Sequence, residues 1–301
     1  MTETPKTPVT IIGGYLGSGK TTLVNHLLRN ADGNRLAILV NEFGELQIDA
    51  DLIEAQDDDI ISLAGGCVCC SYGNDLIMAM LDMAKMDPRP DHVILEASGV
   101  ALPGAIASSL SLLNDFSVDG IVVLTDAETI RKRSTDKYMG DTILRQLESA
   151  DILLLNKIDL ISNQERKLTL DWLEEITGNS PIIETQDSEV HPTVLLRDFS
   201  RQDTTGSLSS PHQRDNFQSG FISAGLPVDP TEFAECLVKD HRGLVRAKGF
   251  VKSRDGSVCT IQIVGKRVEI TPAPDGVKLG VVTISVGPGR DLATEKYDTA
   301  N

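Results

Sequence analysis

The chain has 301 residues, 41% apolar and 24% charged, an ordinary globular composition with enough apolar surface for a sizeable core. That excludes disorder of the whole chain and collagen-like or low-complexity structure, and the length suits two domains. Asp and Glu outnumber Lys and Arg by 44 to 28, and the formal charge of −16 repels nucleic acid and anionic membranes.

The opening MTETPKTPVT lacks a basic flank followed by an apolar core, so it is not read as a signal peptide. No stretch reaches the ~18 apolar residues that a membrane helix requires. Five cysteines, three of them in Cys67–Cys70, do not form the pattern of a disulfide framework. The expectation is a cytoplasmic protein with reduced thiols and neither a nucleic-acid nor a membrane partner.

In chain order, short apolar runs at Val9–Ile12, Leu36–Val40, His92–Leu95, Gly120–Leu124 and Ile152–Leu155 read as buried strands. Amphipathic stretches at Thr21–Arg29, Leu76–Lys85, Asp141–Leu147 and Gln164–Thr177 read as the helices between them. Strands alternating with helices predict βαβ units, hence an α/β domain with a mostly parallel sheet over residues 1–197. A polar Ser/Thr/Gln-rich stretch follows and predicts a flexible linker over 198–219. Beyond it the rhythm changes to one helix, Pro230–Asp240, and strands at Leu244–Ser253, Val258–Val264, Arg267–Thr271 and Val281–Val286. Asp255-Gly256 and Gly265-Lys266 are the turn signals between strand pairs, so 220–301 reads as a small α+β domain.

Gly14-Tyr15-Leu16-Gly17-Ser18-Gly19-Lys20-Thr21 matches the phosphate-loop pattern G-x-x-x-x-G-K-[ST] between a strand and a helix. Gly14, Gly17 and Gly19 let the backbone wrap, so that N–H groups, with Ser18 and Thr22 among them, converge on phosphates. Lys20 then reaches the terminal phosphates as a catalytic cation, and the Thr21 hydroxyl ligates Mg²⁺. This P-loop NTPase signature is compatible with an acidic chain, because the site is built from backbone rather than from basic side chains.

Asn156-Lys157-Ile158-Asp159 follows a later strand. A carboxylate at Asp159 accepts both N–H groups of guanine's Watson–Crick edge, whereas adenine would leave it desolvated and unpaired, so GTP is favoured over ATP. Glu96-Ala97-Ser98-Gly99 ends the strand at His92–Leu95, placing a catalytic carboxylate beside Mg²⁺ through water and letting Gly99 approach the γ-phosphate. No Gln follows Gly99 to orient water, so hydrolysis by the isolated chain is expected to be slower than roughly 1 s⁻¹. Asn41–Glu45 and Asp49 lie where a segment ordered by Mg²⁺ and γ-phosphate would sit.

Gly65-Gly66-Cys67-Val68-Cys69-Cys70 presents three sulfurs in four positions, and Cys67 and Cys69 share a side if the segment is extended. Thiolates select Zn²⁺ or another soft ion over Mg²⁺, and three ligands leave a tetrahedral position for Glu42, Glu45, water or a client group. Buried small hydrophobes and a redox switch are the other readings of the same residues. The cluster lies in sequence between Asn41–Asp49 and Glu96, an order that would couple metal affinity to nucleotide state. His26 reads as an ordinary helix residue, Cys236 and Cys259 as buried, and Arg246, Lys248 and Lys252 as a basic row on a water-facing sheet.

Together these residues resemble the CobW-like family of metal-handling GTPases. GGYLGSGKTTLVNHLL, NEFGE, GGCVCC, EASGVALP and NKID occur in the family's order. Glu96 is similar to the Glu that such proteins carry in place of the more usual Asp of the third GTPase motif. Phe221, Pro227, Asp229, Phe233 and Arg246-Ala247-Lys248-Gly249-Phe250 resemble its carboxyl-terminal domain, so the resemblance covers nearly the whole chain.

The resemblance implies a metallochaperone or insertase in which GTP hydrolysis gates delivery of a transition metal to a client protein. Zinc is the commonest metal of such families, with cobalt and iron also represented. Cys67, Cys69 and Cys70 match the family's metal-binding motif. The chain departs from many relatives in lacking a His-rich tract, so the cluster must hold metal alone or with Glu42 and the nucleotide. Expected partners are guanine nucleotide and a metal-requiring client, with a homodimer as one option. The alternative is a nucleotide-gated adaptor whose thiols are structural or redox-active and whose turnover is small.

Overall fold

The computed structural model describes residues 6–31, 34–40, 60–64, 74–178, 180–196, 217–223, 226–240, 243–274 and 276–286. Glu42, Asp49 and Cys67–Cys70, and with them the expected switch segment and thiol cluster, lie outside the described residues. Contacts divide the chain into two compact units, one of residues 1–177 with 184–204 and one of 205–301 with 178–183.

The first unit is built on strands β1 (Thr7–Gly13), β2 (Leu36–Val40), β3 (Ile60–Ala64), β4 (His92–Glu96), β5 (Phe116–Asp126), β6 (Ile152–Asn156) and β7 (Ile182–Glu184). They form a seven-stranded sheet in the order β3-β2-β4-β1-β5-β6-β7, and the described pairings are parallel. β7, which includes residues 182 and 183, is hydrogen-bonded into this sheet. Every residue of β1, β2, β4 and β6 is buried, which is why these strands read as continuous apolar runs.

Between the strands run α1 (Lys20–Arg29), α2 (Asn74–Ala84), α3 (Pro103–Leu110), α4 (Ile130–Arg133), α5 (Gly140–Ser149), α6 (Asn163–Thr177) and α7 (Pro192–Leu195). In α1, Leu23, Val24, Leu27 and Leu28 make one buried stripe, each side chain contributing roughly 1.5–3 kcal/mol by leaving water. α3 starts with Pro103, whose missing N–H costs nothing in a first turn. Ser162 and Glu165 close a capping box before α6: Glu165 N–H donates to Ser162 Oγ at 3.3 Å, and Ser162 N–H to Glu165 Oε2 at 2.9 Å. Two backbone donors are thus satisfied, and the Ser162 hydroxyl, then its N–H, hold the Glu165 carboxyl below its ordinary pKa.

The second unit holds β8 (Phe217–Ile222), α8 (Pro230–Asp240), β9 (Leu244–Lys252), β10 (Val258–Val264), β11 (Arg267–Pro272) and β12 (Gly280–Val286). Its sheet is antiparallel in the order β11-β10-β9-β12-β8. α8 packs Phe233, Ala234 and Leu237 onto Ala247, Val251, Ile261, Ile263 and Val281, so one face of the sheet becomes the core. Period-two alternation then puts Arg246, Lys248 and Phe250 on the opposite face. Both expected turns are turns, with Gly256 at φ 92° and Gly265 at φ 54°. β8 begins at Phe217, inside the stretch read as linker. Cys236 and Cys259 are half-buried rather than buried. Among the described residues no helix is long and apolar enough to cross a membrane.

Candidate functional site

The site lies at the carboxyl ends of β1, β4, β5 and β6. Parallel register places Ile12 opposite Glu96 and Asp126 opposite Asn156, so four strands end at one edge and their loops meet there.

The loop after β1 has Gly14, Gly17 and Gly19 at φ 128°, 76° and 105°, a region that side chains other than glycine's rarely adopt. A methyl group at Gly19 would come within 2.5 Å of Ser188 Oγ and 2.6 Å of Asn156 Nδ2, so absence of a side chain matters there twice over. The turn is closed by Ser18 N–H donating to Tyr15 C=O at 3.2 Å, and α1 begins with Leu23 N–H bonded to Gly19 C=O at 2.9 Å. The first N–H groups of α1 therefore face the loop's hollow, where the helix's positive end favours an anion. Ser18 and Lys20 are buried, whereas Thr22 is exposed on the helix. Among the described residues Ser18 Oγ is buried without a hydrogen-bond partner, the condition of a donor that awaits a ligand oxygen.

Thr21 and Glu96, 75 positions apart, meet directly: Thr21 Oγ1 donates to Glu96 Oε1 at 3.1 Å. Two hard oxygens beside a phosphate hollow suit Mg²⁺, so the donor set fits that ion. Ala97 N–H bonds Ile12 C=O at 2.8 Å, and Ala101 N–H bonds Ser98 C=O at 2.9 Å, making a turn directly after Glu96. Gly99, on that turn, has no room for a side chain, since a methyl group would sit 2.9 Å from Leu16 N. Arg133, at the end of α4, places its guanidinium 4.9 Å from the Tyr15 ring centroid, a cation–π contact that sets a positive charge beside the phosphate loop.

Asn156 is 2% exposed and ties the two halves of the site together, its Nδ2 donating to Ser18 C=O at 3.0 Å. Lys157 stands at φ 62°, a left-handed position for a residue that is not glycine, and its Nζ pairs with Asp126 Oδ2 at 2.8 Å. Asp126 Oδ1 in turn accepts from Glu128 N–H at 3.0 Å and Thr129 N–H at 3.2 Å. Asp159 lies in a short 3-10 turn, Ile158–Leu160, exposed to solvent.

Three contributors were not anticipated. Ser188 and Thr185 belong to the loop after β7, where Asp187 and Ser188 have φ 51° and 57°. Thr185 Oγ1 donates to Asn156 Oδ1 at 3.1 Å, and Ser188 reaches both Asn156 and Gly19. Asp126 is the third. The pattern TQDS after a short apolar run was the available signal, but no turn rule assigns left-handed backbone to Asp-Ser. His26 is not a plain surface residue of its helix either: Nε2 lies 2.9 Å from Val190 C=O. Among the described residues no three His, Cys, Asp or Glu side chains come together to hold a metal ion.

Comparison with known proteins identifies relatives of both parts of the chain. The family model described as the CobW/HypB/UreG nucleotide-binding domain matches residues 8–184, and that of the cobalamin synthesis protein cobW C-terminal domain matches 217–293. The chain is 32% identical to the zinc chaperone CobW of a Sinorhizobium species, across 88% of this chain and 87% of that one. It is 32% identical to the zinc-regulated GTPase metalloprotein activator 1 of Schizosaccharomyces pombe, over 74% of this chain and 56% of the relative. The zinc chaperone YjiA of Escherichia coli is also 32% identical, over 81% of each.

Proposed function

The chain belongs to the CobW/HypB/UreG family, and from that premise we propose that its nucleotide state controls how it holds a transition metal, zinc first, and hands it to a client protein. It is a P-loop GTPase, and its broad role is that of a GTPase metallochaperone. The observation that carries the nucleotide half of this reading is the meeting of Ser18, Thr21, Glu96 and Asn156 at one edge of the sheet.

In this reading the N–H groups around Gly17–Thr22 and the Lys20 ammonium hold the phosphates, and Asn156, Lys157 and Asp159 hold guanine. Asp159 accepts the two base N–H groups. Asn156 keeps that loop in register with the phosphate loop through Ser18 C=O. Thr21, with Glu96 and Asp49 through water, would hold Mg²⁺, which when bound neutralises charge on the phosphates. The Thr21–Glu96 hydrogen bond keeps both oxygens in place beforehand, so less ordering is required when the ion arrives. Lys20 stabilises charge on the departing phosphate oxygens. No Gln follows Gly99 to orient the attacking water, so turnover by the isolated chain is expected to be slow, below roughly 1 s⁻¹.

Cys67, Cys69 and Cys70 take the metal as cargo, with Glu42 completing the set. Three thiolates suit Zn²⁺ or Co²⁺ and disfavour Mg²⁺, which keeps the cargo site and the nucleotide site chemically separate. What supports this half is the residue chemistry and the zinc-handling names of the relatives.

Zinc and cobalt affinities, measured by competition with a chromogenic chelator, decide the matter. With Mg²⁺ and either GDP or a non-hydrolysable GTP analogue, affinities should differ about tenfold or more between the two states. Transfer to an apo-client should stop in the Cys67→Ala/Cys69→Ala protein. Equal affinity in every nucleotide state would overturn delivery and leave a nucleotide-gated adaptor.

A further inference from the structure

We propose that Gln146 is a positioning residue for GTP hydrolysis, its buried carboxamide fixing the turn after Glu96 so that Gly99 meets the γ-phosphate. The proposal rests on the reading of this site as one that binds Mg²⁺–GTP.

Gln146 is out of place by the ordinary logic of its helix. α5 buries Gly140, Ile143, Gln146 and Leu147 on one face, where aliphatic side chains are expected. Gln146 is 2% exposed, and a buried primary amide is tolerated only when its donors are satisfied. Both partners come from the turn: Nε2 donates to Gly99 C=O at 3.1 Å and to Ala101 C=O at 2.7 Å. Its two amide hydrogens are thereby committed, so Gln146 has none left for water and acts through Gly99.

The turn is consequently held on both sides. Ala97 is tied to β1 through Ile12 C=O, and Gly99 and Ala101 are tied to α5. Between these anchors Gly99 lies against the phosphate loop at Leu16, too close for a side chain. Release of the two carbonyls would let Gly99 drift from the place where the third phosphate arrives, while Ser18, Lys20 and the base-binding loop stay put. GDP has no third phosphate. Loss of Gln146 should therefore penalise GTP and its hydrolysis and spare GDP.

The test uses the full chain with Mg²⁺ and the variant Gln146→Met, which keeps the volume and removes the donors. Titration with fluorescent GDP should give a Kd within about twofold of the unmodified protein, while a non-hydrolysable GTP analogue binds about tenfold more weakly. Single-turnover hydrolysis should fall by about tenfold or more. Equal weakening of both nucleotides, or no change in either, overturns the proposal. If the unmodified protein binds neither guanine nucleotide, the site reading itself falls first, an outcome distinct from the one above.

A second variant keeps the test decisive should Gln146→Met fail to fold. In Gln146→Glu the carboxyl donates one hydrogen bond when protonated and none when ionised, and burial favours the protonated form. The ratio of variant to unmodified hydrolysis rate should therefore rise as pH falls from about 8 to about 6. A flat ratio removes Gln146 from the mechanism.

Discussion

Asn156 and Ser188 hold each other by two hydrogen bonds: Asn156 Nδ2 donates to Ser188 Oγ at 2.8 Å, and Ser188 N–H donates to Asn156 Oδ1 at 2.9 Å. Ser188 Oγ donates onward to Gly19 C=O at 3.1 Å. A side chain from the loop after β7 thus spans the Asn156–Asp159 motif and the phosphate loop, so both ends of the proposed nucleotide would rest on one latch.

Replacing Ser188 with Ala should loosen that latch without opening a cavity larger than one oxygen atom. Two neutral hydrogen bonds are lost, each worth about 1 kcal/mol. GDP and a GTP analogue should weaken together by about tenfold, since the latch serves parts of the nucleotide common to both. Nucleotide titration checks this, and an unchanged affinity for both would place the latch outside the binding site.

Asp159→Asn should cost GTP binding far more than it costs folding. The side chain is exposed, so little packing is disturbed. An amide offers one acceptor where guanine presents two donors, and its own N–H group then faces a donor. Hydrogen bonds to a charged group are worth about 1.5–3 kcal/mol, so GTP affinity should fall about 100-fold. Competition between GTP and ATP measures it; retention of the unmodified preference would refute guanine readout by this residue.

In the second unit, Leu237→Ala removes a fully buried side chain of α8 from the core against β9, β10 and β12. Large-to-small changes at such positions cost about 2–5 kcal/mol, lost transfer energy plus the cavity. Urea denaturation followed by tryptophan-independent circular dichroism should show a lower midpoint with the slope unchanged. A loss under about 1 kcal/mol would mean that α8 is not packed as described.

Much of the fold was legible because its signals are local. Continuous apolar runs marked β1, β2, β4, β5 and β6, buried on both faces, and the turn pairs at Gly256 and Gly265 marked two hairpins. β3, IISLA, is an apolar run of the same kind yet stands outside the strands read from the sequence, whereas other missed elements lack such a signal. β8 is FQSGFI, a mixed run whose pairing with β12, from Phe217 opposite Val286 to Ile222 opposite Val281, makes it a strand. α3 is PGAIASSL, with small residues on every side and no charged face to give it a period. β7 is three residues long, too short for any pattern.

The sequence by itself determined the chemistry on offer: a glycine-rich loop with Lys20 and Thr21, a carboxylate at Glu96, the Asn156–Asp159 motif proposed to read the base, and three neighbouring cysteines. Glycine, lysine and aspartate carry their properties wherever they stand, which is why motif and spacing alone put that chemistry forward. Tertiary structure alone decided that Thr21 donates to Glu96, that Lys157 pairs with Asp126, that Ser188 latches Gly19 across 169 positions, and that Gln146 clamps the turn at Gly99. Those partners are chosen by strand order and register, which depend on how every apolar face in the unit is covered at once. No window of neighbouring residues contains that information.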